Sequence, residues 1–232
     1  RAVGRMTAAQ LAPTHNPAAN DLLGSRTALW RTDEVLYQTH LQDDNRPFPG
    51  RHPLHGSEIV PAAVLLRTFL RAPSPRSVEK VSLQVPVVVF PPREIQIRQN
   101  AQIISIISRL EKATSVEDGS WLVNTTVTVG TADAAPSFGN VDLAVISKRM
   151  SQKLPENFSI EYLVSVGVSA MGFPWRVVNH MANNNEMLAR VEANSASVPG
   201  MNDSLTSIMD AATSIASTLW HHEPRLRMPT AV

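Results

Sequence analysis

The chain has 232 residues, 43% of them hydrophobic, with 21 basic side chains against 20 acidic ones and no cysteine. That length supports one sizeable core or two smaller fused ones. The balanced charge offers no basic run for nucleic acid or a membrane surface, and the missing thiols exclude both a disulfide framework and cysteine catalysis.

Residues 1–20 are rich in Ala, Pro, Asn and Thr, without periodicity, and are expected to be a linker. No basic-then-apolar leader and no run near 18 apolar residues occurs, so the expectation is an intracellular, cytoplasmic chain with no membrane span. Ala28 to Leu41 reads as strand, followed by a turn-rich stretch from Asp43 to Gly50. Pro61 opens a helix over residues 62–70 that is apolar nearly all round except at Arg67 and Thr68. Proline suits a first helical turn, and such a helix is expected to be buried on most sides. Pro73 and Pro75 close it.

Strands follow at Val81 to Phe90, Glu94 to Arg98 and Ala101 to Leu110. In the next one, Trp121, Val123, Thr125, Val127 and Val129 are expected to share one face. One mostly buried helix followed by about four antiparallel strands suits a sheet wrapped around a helix. Gly130 to Asn140 reads as linker. Beyond it, Leu205, Ile208, Met209, Ala212, Ile215, Ala216 and Leu219 fall on one face of a second helix, with Asp203 or Ser204 as its cap. Gly130 lies 69 positions past Pro61, yet only 22 residues follow Asp210. If the halves are repeats, the second lacks most of its later strands.

The most informative stretch runs from His52 through Gly56 to Pro61, a histidine, three residues, a glycine, four residues and a proline. The flanking run from Arg46 to Ala63 resembles the dehydratase domain of iterative polyketide synthases of the 6-methylsalicylic acid synthase group. Two further segments are similar to the same family, Gly167 to Trp175 and Met209 to Ser214, and the resemblance extends from about Asp21 to the end.

This resemblance implies an α+β double hotdog, two antiparallel sheets each wrapped around a central helix, with the second half truncated. The implied division is a linker at 1–20, a first hotdog at 21–130 with the catalytic histidine, a linker at 131–150, and an incomplete second hotdog at 151–232 with the catalytic aspartate. His52 and Asp210 become the catalytic pair, and Gly56, Pro61 and Ser214 substrate-binding positions. The implied substrate is a polyketide thioester on the phosphopantetheine arm of an acyl carrier protein. The implied partners are that carrier, the other domains of the synthase and a second copy in a homodimer. No metal or redox cofactor is expected.

The chemistry fits those residue types. Dehydrating a β-hydroxyacyl thioester needs a base for the α-proton and an acid for the departing hydroxyl. Histidine, with an ordinary pKa of about 6.5, suits the first role. A carboxyl in a dry apolar pocket stays protonated and suits the second. A glycine after the histidine would let backbone approach the thioester carbonyl.

Two departures bear on the reaction. Ser214 stands four residues after the aspartate, where ordinary dehydratases hold Gln or His. Met171 and Gly172 replace the tyrosine-bearing element, and Phe173 separates Gly172 from Pro174. In this group the domain has also been read as a thioester hydrolase that releases the product. Three readings therefore stand: a lyase, a hydrolase using the same pair, and a non-catalytic scaffold half.

His15, His40, His55, His180, His221 and His222 read as ordinary structural or surface histidines, with His55 a neighbour of the site. Adjacent His221 and His222 do not face one way on a helix, so they build no metal site. Ser57 lacks a nucleophile elbow. Trp30, Trp121, Trp175 and Trp220 read as core, and Glu58 as either exposed or a pocket residue. By helical position alone, Asp210 shares a solvated stripe with Asp203, Ser207, Ser214 and Ser217; the family match turns that stripe towards a pocket.

Overall fold

The computed structural model describes residues 14–72, 77–111, 120–130, 141–193, 204–223, 225–227, 230 and 231. The expectations placed on residues 1–13, Pro73, Pro75, 131–140 and Asp203 lie outside the described residues.

Six strands form one antiparallel sheet: β1 (Ser25–Ala28), β2 (Val35–Leu41), β5 (Ser77–Leu83), β6 (Arg93–Gln99), β7 (Ile103–Leu110) and β8 (Leu122–Gly130). Their order is β1-β2-β6-β7-β8-β5. The inward residues alternate as strand geometry requires: Tyr37 and Leu41, Ile95 and Ile97, Ile104 and Ile106 are all buried. Helix α1 (Ala62–Arg71) packs into the same core through Ala63, Val64, Leu65, Leu66 and Phe69. Of its two polar exceptions, Thr68 is also buried; the hydroxyl donates to the Val64 carbonyl and accepts the Leu22 N–H. Both polar atoms of that turn are thus satisfied inside the core.

One sequence expectation fails in β8. Thr125 opposes Ile106 while Val123 opposes Ile107, so Asn124 is the extra residue of a β-bulge. The bulge reverses the alternation, leaving Val123 44% exposed while Thr125 and Val127 are buried. The carbonyl of Asn124 accepts N–H groups from Gln84 and Val85, and its side-chain amide donates to the Val85 carbonyl. These bonds carry the chain away from the strand expected to run to Phe90, which ends at Leu83.

The second half is smaller. Within the range expected to be linker, Asp142 caps α2 (Leu143–Arg149) by accepting the N–H groups of Ala144 and Val145. Strands β9 (Gln152–Lys153), β10 (Trp175–Ala182) and β11 (Met187–Ala193) form a sheet in the order β11-β10-β9, with α3 (Phe158–Ser165) between β9 and β10 in sequence. Helix α4 (Ser204–Ala216) packs on β10 and β11 and against α1. Its orientation is the reverse of the plain amphipathic reading. Thr206, Ser207, Asp210 and Ser214 are buried, while Leu205 and Ile208 are exposed. The polar stripe faces the first half.

No helix among the described residues is long and apolar enough to cross a membrane.

Candidate active site

His52 sits before a short hairpin, β3 (Pro53–Leu54) and β4 (Ser57–Glu58). The two turn residues, His55 and Gly56, have φ of 47° and 83°. Two consecutive positive φ values are the signature of the tight turn that matches strand twist, and glycine adopts one without steric cost. Glu58 on the returning strand accepts the His52 backbone N–H at 2.7 Å, and Ile59 donates its N–H to the His52 carbonyl at 3.2 Å. The histidine is held on both backbone sides by a loop that then enters α1.

The segment 167–175 docks on this loop. Gly50 donates its N–H to the Gly172 carbonyl at 2.9 Å, and His55 donates to the Gly167 carbonyl at 2.9 Å. Leu54 and Val168 form an antiparallel bridge. The approach leaves no room for side chains. A Cβ on Gly50 would stand 2.4 Å from the Met171 carbonyl oxygen, and one on Gly172 would stand 2.5 Å from the Pro61 ring.

The same segment reaches both expected catalytic groups. The Ala170 carbonyl lies at the His52 imidazole. The Trp175 indole Nε1–H donates to Asp210 Oδ2 at 3.0 Å, and the Phe173 backbone N–H also faces that carboxyl.

His52 and Asp210 line one cavity of about 310 Å³. Its walls come from the hairpin and α1 (Leu54, Ile59, Ala62, Leu65), from the bulge-held stretch Gln84-Val85-Pro86, and from Thr213, Ser214 and Ser217 on α4. Leu163 and Val168 close it from the second half, and Leu226, Arg227 and Thr230 from the C-terminal segment.

Burial in this apolar space acts oppositely on the two groups. It pushes His52 down to about 4, against a smaller pull upward from the Ala170 carbonyl. It pushes Asp210 up to about 6, against the Trp175 and Phe173 N–H groups, which favour the carboxylate. Near neutrality the imidazole is uncharged and able to accept a proton, while part of the carboxyl population still carries one.

Ser214 lies in the cavity wall beside Asp210. Gly56 and Pro61 do not line the cavity. Gly56 is an exposed turn residue whose added Cβ would meet nothing within 4 Å, and Pro61 caps α1 and packs on Gly172. The motif spacing reflects backbone needs at those two positions. Glu58 acts on the loop and not on the cavity, and Ser57 is exposed on the hairpin.

Among the other histidines, His15 bonds Thr39 and the Asn45 carbonyl, and His180 is buried edge-on to Phe158. Among the described residues no group of three metal-ligating side chains comes together. The tryptophans are not uniformly core. Trp30 is 80% exposed with Arg31 over its ring, and Trp175 is the donor to Asp210. A chain position cannot signal that last role, because 35 residues separate the partners.

Residues 20–108 match the family model described as the polyketide synthase dehydratase domain. A 6-methylsalicylic acid synthase of Penicillium terrestre is 76% identical over the whole of this chain, and one of Aspergillus niger is 66% identical over the same span. The chain spans 13% of the length of each of those proteins. Among solved structures, the dehydratase domain from the CurH module of curacin polyketide synthase superposes with a TM-score of 0.68 at 17% identity, covering 94% of this chain and 82% of that one. The likeness extends to the hotdog-like arrangement of antiparallel sheets and helices. The chain is similar along its whole length to a segment of 6-methylsalicylic acid synthases, and its residues 20–108 match the polyketide synthase dehydratase family.

Proposed function

We propose that this domain dehydrates a β-hydroxyacyl thioester. The observation that carries the reading is a base and an acid facing one apolar cavity, each pushed by burial towards its neutral form. A His52 ring nitrogen takes the α-proton, and the C–H electron pair becomes the new C=C bond. The β-carbon–oxygen bond breaks, and the hydroxyl leaves with the Asp210 proton as water. His52 then holds the abstracted proton, which returns to Asp210 to reset the pair.

The fold that supports this site is read as a double hotdog, α1 and its sheet in one half and α4 with β9–β11 in the other. The acyl chain arrives on the phosphopantetheine arm of an acyl carrier protein in the same dimeric synthase. The long relatives, of which this chain matches 13%, supply the room for such a carrier. The catalytic step needs no metal or redox group, since a proton pair suffices.

A second reading, thioester hydrolysis, is favoured by Ser214. It stands in the cavity wall where ordinary dehydratases place Gln or His, and in that reading His52 activates water while Asp210 orients it. Intact His52 and Asp210 in a formed cavity weigh against an inert scaffold. The test offers the synthase two carrier-bound substrates, a β-hydroxyacyl thioester and an aromatic acyl thioester. Alkene from the first supports the lyase. Free aromatic acid from the second, with no alkene from the first, replaces it with the hydrolase.

A further inference from the structure

Asp210 is held by a group that its own helix does not supply. Trp175 opens β10, and its half-buried ring packs against both apolar clusters, the large one around α1 and the small one formed by Val177, Ala211 and Ile215. A ring wedged between two cores has few alternative rotamers, so its Nε1–H is fixed in direction. That N–H lies 3.0 Å from Asp210 Oδ2. An indole nitrogen only donates. A hydrogen bond from that N–H favours an unprotonated Oδ2 and so favours Oδ1 as the oxygen that carries the proton; the Phe173 backbone N–H faces the same carboxyl. The residue one turn along α4 is the short Ser214, so the donor comes from the sheet.

We propose that Trp175 is the positioning residue of Asp210: its indole N–H fixes the carboxyl rotamer and leaves Oδ1 as the oxygen that carries the transferable proton. The inference rests on the reading of Asp210 as the general acid. It also gives the segment 167–175 a defined task, since one stretch of chain sets both members of the pair.

Trp175→Phe keeps most of the ring and removes the donor. In the intact synthase, kcat for elimination is expected to fall about tenfold, with KM changed by less than about twofold, because a misaimed proton donor affects the transition state more than binding. The alkaline limb of the pH–rate profile moves to higher pH, because the lost N–H favoured the carboxylate. Trp175→His, which restores a ring N–H, recovers part of the rate and moves the limb back. In the Asp210→Asn background, Trp175→Phe costs nothing further, as expected for a residue that acts through Asp210.

Carbodiimide labelling of the intact synthase, read by mass on the peptide containing Asp210, follows the same carboxyl without turnover. Labelling that persists to higher pH in Trp175→Phe supports the positioning role. Unchanged labelling with an unchanged alkaline limb overturns it, as do losses that add fully in the double variant. Failure of the wild-type synthase to make alkene would instead overturn the dehydratase reading, and the labelling comparison would still decide the role of Trp175.

Discussion

Glu58 accepts the backbone N–H of His52 at 2.7 Å, six residues back along the chain. The bond closes the hairpin on the histidine and orients it towards the cavity without entering it. Glu58→Ala removes a charged acceptor from a half-buried N–H, at a cost of about 1–3 kcal/mol. Thermal melting should show that loss, and elimination should slow at least tenfold. Glu58→Gln keeps an oxygen acceptor and should lose less of both. Equal behaviour of the two variants would contradict this role.

The pH dependence of turnover follows from the opposite displacements of the pair. The base works when neutral, so activity should appear as pH rises through about 4. The acid works when protonated, so activity should decline as pH rises through about 6. The result is a bell whose limbs belong to the pair as a unit. Rates on a β-hydroxyacyl thioester from pH 3.5 to 8 measure it. A rate that rises through neutrality would contradict the assignment of Asp210 as acid.

Stability should carry the same signs. Asp210 has its folded value raised from 3.8 to about 6, so its contribution is present below 3.8 and is lost as pH rises through 6. His52 has its folded value lowered from 6.5 to about 4, so its contribution is present above 6.5 and is lost as pH falls through 4. The two trends oppose each other between pH 4 and 6. Asp210→Asn removes one of them. At pH 7 it should stabilise the domain by up to about 3 kcal/mol, the worth of a shift from 3.8 to about 6. Its stability should then climb more steeply with pH than the wild type's, with the burial-lowered His15 and His180 acting in the same sense as His52. Urea denaturation at pH 4.5 and 7 reads both effects.

The loop contact between the halves is a third lever. Gly50→Ala would drive a Cβ to 2.4 Å from the Met171 carbonyl, and neither backbone can yield cheaply. A cost of about 1–3 kcal/mol is expected, as for overpacking in a core. Because the same contact aligns the segment that reaches both His52 and Asp210, elimination should fall further than the melting temperature implies. Gly56→Ala is the control: its Cβ meets nothing, so only the positive φ is penalised.

The first half was legible because its pattern is local. Alternation in β6 and β7 and the apolar run of α1 state their own burial. The bulge at Asn124 was not legible, since one inserted residue is visible only against the partner strand. The orientation of α4 was legible from the resemblance and not from its periodicity. A helix whose small polar face lines a cavity has the same pattern as one whose polar face meets water. The link from Trp175 to Asp210 escaped because it joins a strand to a helix across the fold, and nothing in the residue type marks a tryptophan as a donor in place of a packing group.

His52 and Asp210 are proposed to remove water from a carrier-bound intermediate. Mass spectrometry of the acyl groups held on the carrier protein, in the synthase with and without His52→Ala, tests it most directly. An α,β-unsaturated acyl group is expected in the wild type and, in the variant, a β-hydroxyacyl group heavier by one water. Identical carrier-bound species in both, with only release of the final acid impaired in the variant, would contradict it.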